Sequence, residues 1–127
     1  MARFKDGRVL KGTSLDIDPN KPTFHVRAPG AAAEQVRLED LKALFFVRSL
    51  EGDPQRDDAT EADPGDPRLR GSTLVELTFA DGERIVGMTN RYPPNRAYFY
   101  VVPVDAASNN VRILINRAAV TEHRPLL

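Results

Sequence analysis

A nine-residue pattern occurs twice in this chain, as FKDGRVLKG beginning at Phe4 and as FADGERIVG beginning at Phe79. At this offset of 75 residues, the distance from Phe4 to Phe79, the two copies also share a second pattern, P-N-[KR]-x-x-F-x-V. The match continues without a gap to residues 36–37, which fall on residues 111–112. Similarity of this length predicts an internal duplication, in which the chain consists of two copies of one small module.

The module has the sequence pattern of a β-protein. Asp-Gly between a hydrophobic run and an alternating run predicts a hairpin, because both residues accept the positive φ of a type I′ turn. Gly12 and Gly87 fall inside the strands that follow, where glycine often marks a bulge or a sharp bend. The segment LEDLKAL predicts a helical turn in the first copy. Five short strands around bent hairpins predict an all-β fold of two tandem SH3-like or Sm-like small barrels.

The two barrels are expected to depend on each other. A module of about 50 residues buries too little surface to be stable alone, so the copies should pack as a pseudo-dimer in which strands can be shared. The first strand of copy one, residues 1–5, is short and is expected to leave a sheet edge open. Its last strand, ALFFVRSL, is long and apolar and is expected to compensate for this deficit.

An acidic, proline-rich segment separates the copies. Residues 51–70, EGDPQRDDATEADPGDPRLR, contain three prolines and seven acidic against three basic residues. Such a segment buries too little apolar surface to offset the entropy of ordering, which predicts a linker or long loop. The predicted organisation is therefore a first β-barrel repeat at 1–50, this linker at 51–70 and a second β-barrel repeat at 71–127.

Composition excludes several classes of protein. The chain contains no cysteine, which excludes disulfides, thiolate metal sites and a cysteine nucleophile. No apolar run approaches the roughly 20 residues that span a bilayer, and no signal sequence is visible, so no membrane partner and a cytoplasmic location are expected. The net charge is zero, with a pI of about 6.7. A dedicated nucleic-acid binder usually has a pI above about 9.

The repeated unit resembles a bacterial domain family of unknown function that is sometimes found near PilZ-type signalling domains. The resemblance is carried by F-x-D-G-x-x-x-x-G and P-N-[KR]-x-x-F, with DPNKPTFHV and SNNVRILI, and covers nearly the whole chain except the linker. It implies a fold and a bacterial source but supplies no activity. The hairpin with its glycine-containing second strand is also similar, in a generic way, to the first Sm motif.

The best binding candidates are the polar residues of the two P-N-[KR] turns. In Sm-like proteins an asparagine-bearing loop contacts a base, and a basic residue on a second loop assists this contact. Arg37 and Arg112 are the candidates for that basic residue here, and Lys42 and Arg117 are the alternative pair. RNA binding also needs aromatic stacking surfaces. The competing interpretation is that the asparagines only form turns and that the aromatic rings pack between the barrels. The candidate binding residues are Asn20, Lys21, Arg37, Asn95, Arg96, Tyr98, Tyr100 and Arg112.

Other chemistries find little support in the sequence. Asp16, Asp18 and Asn20 have the spacing that opens an EF-hand loop, but Lys21 replaces the required glycine and Arg27 the final glutamate. Neither RLRGS nor NRYPPNR has the spacing by which PilZ-type domains bind cyclic dinucleotides. No nucleophile elbow, P-loop or zinc-protease motif is present. We therefore expect no enzyme activity, no cofactor and no metal.

The sequence thus predicts a non-enzymatic protein-interaction adaptor or regulatory module. A partner protein would add a strand to an exposed sheet edge, such as residues 1–5, or would lie in a groove between the barrels. Self-association is a further expectation. The alternative is an Sm-like protein that binds single-stranded RNA through Asn20 and Asn95.

Overall fold

A computed structural model of the protein describes residues 1–52 and 65–126. These residues form ten β-strands and three short 3-10 helices, and the predicted all-β class is confirmed. Residues 53–64, which make up most of the expected linker, lie outside the described residues. No helix within the described ranges is long and apolar enough to cross a membrane.

The two halves of the chain contain the same series of elements. The first half has β1 (Ala2–Phe4), β2 (Val9–Leu10), β3 (Thr23–Arg27), β4 (Ala33–Arg37) and β5 (Leu41–Val47). The second half has β6 (Thr73–Phe79), β7 (Arg84–Thr89), β8 (Tyr98–Pro103), β9 (Asn110–Asn116) and β10 (Val120–Pro125). A 3-10 turn joins the fourth strand to the fifth in each half, at Leu38–Asp40 and at Arg117–Ala119, and a third 3-10 helix, Pro67–Leu69, precedes β6. The helical turn predicted for LEDLKAL is confirmed for its first three residues, Leu38–Asp40, whereas the other four belong to β5.

Strand pairing joins the halves into one sheet. In the described ranges, eight strands form an open sheet in the order β10-β6-β7-β8-β9-β5-β1-β2, and β3 and β4 form a separate hairpin. The junction is the antiparallel pairing of β5 with β9, in which Leu44 lies opposite Leu114. The long apolar strand of the first half therefore continues the sheet of the second half.

The first strand is not a free edge. It pairs with β5 on one side and with β2 on the other. The expectation of an open edge at residues 1–5 is wrong, because the two-residue strand β2 covers the outer side of β1. The outermost strands of the eight-stranded sheet are β2 and β10.

Equivalent strand pairs have the same register in the two halves. The single bridge between Thr13 and Arg27 lies 75 residues before the pair formed by Met88 and Val102. The fifth strands of the two halves also agree. The β1–β5 ladder shifts register at the second residue of β5, and the β6–β10 ladder shifts register at the second residue of β10. The residues skipped there are Lys42 in β5 and Thr121 in β10.

The gapless alignment fails in the fourth strand. Phe24 pairs with Val36, and Phe99, its counterpart 75 residues later, pairs with Ile115 rather than Val111. Burial agrees, since Val36 and Ile115 are 1% and 0% exposed whereas Val111 is 47% exposed. The offset is thus 79 from the fourth strand onward, the distance from Val36 to Ile115, and the four extra residues lie between Val101 and Ile113, the last pair of the β8–β9 ladder.

Two hydrophobic cores exchange side chains across the junction. The core of the second half contains Val75, Leu77, Phe79, Phe99, Val101, Ile113, Ile115 and Ala119, with Ala43 and Phe45 from β5 of the first half. The core of the first half contains Ala2, Phe24, Val26, Val36, Leu38, Leu41 and Leu44, with Leu114 from β9 of the second half. Because side chains alternate along a strand, β5 and β9 each supply both cores.

The Asp-Gly turns form tight hairpins of a different type from the one predicted. Gly7 and Gly82 have positive φ values of +96° and +88°, but no described residue other than glycine does, so the type I′ prediction is wrong. The Gly82 N–H donates to the carbonyl of Phe79, and the Phe79 N–H donates to the carbonyl of Glu83, each at 2.9 Å. This is a type I turn closed by a glycine bulge.

Candidate binding groove

An open groove of about 840 Å³ lies between the two halves. Its walls come from the loop before β3, which contributes Asn20, and from β7, β8 and the loop that connects them. Five of the eight predicted binding residues line it: Asn20, Asn95, Arg96, Tyr98 and Tyr100. The structure therefore brings the two P-N-[KR] turns to one surface, although they are far apart in the sequence.

The loop that carries Asn20 is held by two aspartates. Asp18 accepts a hydrogen bond from the backbone N–H of Asn20 at 2.9 Å. Asp16 accepts from the His25 backbone N–H at 2.9 Å and lies 2.7 Å from the ring Nδ1 of that histidine. The bond with the His25 side chain is the main reason that the pKa of Asp16 is lowered to about 2. Both carboxylates therefore shape the loop, which agrees with the interpretation of this segment as a polar turn.

The loop that carries Asn95 is held in place by hydrogen bonds from Arg117. The Arg117 guanidinium donates from Nε to the carbonyl of Pro94 at 2.8 Å, and its backbone N–H donates to the carbonyl of Ala97 at 2.9 Å. Arg117, considered above as an alternative basic partner, therefore has a structural role. Asn95 and Arg96 remain exposed on the rim of the groove.

The rim of the groove carries positive charge. Arg91 and Arg96 line it, are exposed and form no ion pair with any residue of the described ranges. The lining includes no carboxylate among the described residues. The apolar part of the lining includes Met88, Phe99 and Val102. The arrangement suits a ligand that has both apolar groups and negative charge.

Two tyrosines of β8 form one wall and extend toward β9. Tyr98 and Tyr100 point toward the same face of the sheet and pack against the core of the first half. Burial, together with the nearby carboxylates of Glu39 and Asp40, raises the pKa of Tyr98. One end of this wall is therefore close to negative charge, whereas Tyr100 at the other end lies beside a cation, Arg112.

Arg112 belongs to a cluster of aromatic rings on the strand face. Its Cζ atom lies 4.5 Å from the ring centroid of Phe46 and 4.6 Å from that of Tyr100. The two rings are 6.1 Å apart and inclined by 52°. The guanidinium therefore contacts both rings next to the groove, and sequence patterns had not indicated Phe46 as its neighbour.

The remaining predicted site residues lie elsewhere. Arg37 forms an ion pair with Glu39, and Lys21 is exposed but does not line the groove. Arg37 and Arg112 are not equivalent positions, because Arg37 pairs with Thr23 at the place where Asn116 pairs with Tyr98. Their apparent equivalence followed from the gapless alignment, which fails in the fourth strand.

Lys42, the other alternative basic residue, is buried at the junction of the halves. Its Nζ donates to Asp81 Oδ2 at 2.7 Å and to Glu83 Oε2 at 2.6 Å. Only 8% of its side chain is exposed, and it lies 4.8 Å from the ring centroid of Phe79. Lys42 thus links β5 of the first half to the β6–β7 turn of the second half and is not available to a ligand.

Nine of the fourteen lining residues were not among the predicted site residues, and these include Asn90, Arg91 and Val102. The predicted residues were chosen from positions that the two halves share, and Arg91 has Asp16 at the corresponding place in the first half. The surplus of basic over acidic residues in the segment NRYPPNR was the available signal.

Comparison with known proteins identifies the family. The model of a family of unknown function, DUF6982, matches residues 1–126. The chain belongs to DUF6982. This match covers both halves and the segment between them, so the family unit includes the groove with both of its walls. No curated protein and no solved structure matches the chain significantly.

Proposed function

We propose that this protein is a non-enzymatic interaction module that binds an extended segment of a partner protein in the groove between its halves. The observation that carries the proposal is an open groove of about 840 Å³ with walls from both halves, a lining of mixed apolar and polar residues and a basic rim. Sites that bind ligands commonly have volumes of about 300–1,000 Å³. Apolar side chains of the partner would occupy the lining, and its acidic side chains would face the rim.

The groove is a better docking site than the outer strand β10. The outer strand β10 carries Glu122, Arg124 and Pro125, and charges and proline on an edge strand oppose the addition of another strand. The Leu126 N–H donates to the carbonyl of Leu74, so the backbone nitrogen of Pro125 faces away from β6. A strand added there would lose one hydrogen bond.

The charge of the groove favours an acidic partner segment. Arg91 and Arg96 on its rim lack acidic partners within the described residues, and the lining contributes none. Complementary charge would speed association and select partners. The partner class that fits is therefore a peptide segment in which acidic residues flank apolar ones.

Single-stranded RNA is the second candidate. It is favoured by the placement of Asn20 and Asn95 in one groove with two tyrosines, which supplies hydrogen-bonding amides and stacking surfaces. The zero net charge and the carboxylates near Tyr98 oppose it, since RNA affinity depends on neutralising phosphates.

We also infer that the two halves arose by duplication of one SH3-like unit. Constant offsets of 75 in the first three strands and 79 in the last two, fixed by pairs such as Phe24–Val36 and Phe99–Ile115, support this. So does the 3-10 turn between the fourth and fifth strands of each half. The bacterial source and the association with PilZ-type domains rest on the sequence resemblance stated above.

Fluorescence anisotropy with two labelled probes tests the proposal. One probe is a short peptide library in which Asp and Glu flank apolar residues, and the other is a mixed-sequence single-stranded RNA. We expect saturable binding of peptides that Arg96→Ala weakens and Arg84→Ala, an exposed substitution outside the groove, leaves unchanged. RNA binding that falls steeply with salt and is lost in Asn20→Ala/Asn95→Ala would favour the second candidate. Absence of binding to either probe at low salt would exclude both.

A further inference from the structure

The guanidinium of Arg112 lies over two aromatic rings, those of Phe46 and Tyr100, next to the groove. We infer that Arg112 is an anion-recognition residue that binds a carboxylate on the segment occupying the groove. This inference rests on the proposed function, because it names the chemistry that the partner segment must carry at one position.

The contacts of Arg112 with the two rings leave its donor groups available. Its Cζ lies 4.5 Å and 4.6 Å from the ring centroids of Phe46 and Tyr100, so the rings contact the guanidinium group. The five N–H donors of a guanidinium lie in its plane and point outward from its edge. The guanidinium of Arg112 donates no hydrogen bond to any residue of the described ranges, and its contacts with the two rings reduce the freedom that the side chain would lose on binding.

The surroundings of Arg112 differ from those of the arginines that stabilise the fold. Five arginine–carboxylate pairs occur within the described ranges: Arg3–Glu83, Arg8–Glu34, Arg37–Glu39, Arg68–Asp66 and Arg124–Glu76. Arg112 is exposed but has no carboxylate partner among the described residues. It is thus ordered by aromatic contacts while its charge remains uncompensated.

Arg112 adjoins the groove through the strand that forms its wall. Tyr100, one of its two ring partners, lines the groove, and so does Val102, which is 36% exposed. The β8–β9 ladder ends at the pair Val101–Ile113, so Arg112 and Val102 come next to this pair on their strands. A segment that runs along β8 would meet the valine and the tyrosine ring in succession, with the guanidinium of Arg112 beside them on the neighbouring strand.

The expected ligand group is the carboxylate of an Asp or Glu side chain. A guanidinium binds a carboxylate through two parallel hydrogen bonds, a geometry that a lysine ammonium does not reproduce. Loss of a hydrogen-bonded charge pair typically lowers affinity by roughly 10- to 100-fold. Arg112→Ala should therefore have an effect of this size, and Arg112→Lys should restore only part of the affinity.

The test follows the Nε–Hε signals of ¹⁵N-labelled arginines by NMR during titration with a short N-acetylated glutamate oligopeptide. We expect the Arg112 signal to shift with this probe and not with the matching glutamine oligopeptide, while the signal of Arg37, which is already paired, stays in place. Arg112→Lys and Arg37→Lys each remove one signal from the spectrum, and this assigns the signals of the two arginines. An Arg112 signal that is unmoved by saturating glutamate peptide would overturn the inference.

A second measurement separates this inference from the proposed function. Library peptides that bind the groove in an Arg96-dependent way, but equally well to wild-type protein and Arg112→Ala, would retain the function and refute the carboxylate site. A glutamate-specific shift at Arg112 in a protein that binds no library peptide would support the site and refute the function. Thermal unfolding of Arg96→Ala and Arg112→Ala checks that neither substitution disrupts the fold.

Discussion

The fifth strands of the two halves, β5 and β10, have the same place in the fold and opposite surroundings. Each pairs with the first strand of its own half, with a register shift at the same position. The first five residues of β5 are buried and β5 gains a second partner, β9. No residue of β10 is fully buried, and it remains an outer strand in the described sheet. Backbone register is thus common to both strands, and side-chain polarity decides which of them joins the halves.

The largest effect is expected from truncating an apolar side chain of β5. Phe45 is 4% exposed in the core of the second half, and its counterpart in β10 is Arg124. Phe45→Ala should lower the free energy of unfolding by about 3–5 kcal/mol, measured by urea denaturation. Arg124→Ala, which removes a surface ion pair with Glu76, should cost less than about 1 kcal/mol. Equal losses in the two variants would contradict the comparison.

The residues skipped at the register shifts provide the next test. Lys42 is buried and binds two carboxylates, whereas the exposed Thr121 donates only to the carbonyl of Thr78 at 3.1 Å. We expect Lys42→Met to lower the free energy of unfolding by about 1–2 kcal/mol because charged hydrogen bonds are lost. Thr121→Val should have a smaller effect in the same urea titrations. A neutral or stabilising Lys42→Met would show that the apolar surroundings tolerate methionine equally well.

The ion pair between Lys42 and Asp81 predicts that the stability of the protein depends on pH in the acidic range. The hydrogen bond from Lys42 is the main reason that the pKa of Asp81 is lowered. A depressed folded pKa stabilises the protein above the unfolded value of about 3.9, and this contribution disappears as pH falls through the folded pKa. Unfolding midpoints between neutral and acidic pH should therefore fall more in wild-type protein than in Lys42→Met. Parallel profiles for the two proteins would argue against the coupling.

The smallest change in folding free energy is expected when β10 is made more like β5. Replacing Pro125 by Val and Glu122 by Val restores a backbone donor and removes a charge from the outer strand. We expect concentration-dependent association of this double variant, measured by light scattering after size-exclusion chromatography, with little change in thermal midpoint. Association of Glu122→Val alone to the same extent would assign the protection to charge and not to proline.

The sequence was informative where one local pattern controls one local structure. The repeated Asp-Gly and P-N-[KR] segments indicated the hairpins and turns, and the all-β class followed from them. The long apolar strand was also visible. The turn type was mispredicted, because Asp81 uses its carboxylate to accept the N–H of Glu83 at 2.9 Å and leaves the positive φ to the glycine alone. The all-β class needed only the patterns, whereas the turn type depended on a side-chain hydrogen bond.

The candidate site was predicted only in part, because it depends on distant pairing. Residue identity alone placed Asn20 and Asn95 among the candidates, and the fold brought them together. Residue identity could not show that Glu39 neutralises Arg37, nor that Arg112 contacts two aromatic rings. That difference arises because the second half has four more residues than the first between its third and fourth strands, so the gapless alignment assigns the wrong partner to every residue of β9.

The exchange of side chains across the β5–β9 junction means that neither half contains a complete interior. Residues 1–52 supply Ala43 and Phe45 to the interior of the other half and receive Leu114 in return. Cleavage of the chain between positions 52 and 65 would give two fragments, each of which needs the other to complete its hydrophobic core. Folding of either fragment would then be a bimolecular event, and the chain could serve as a split reporter whose signal depends on reassembly of the halves.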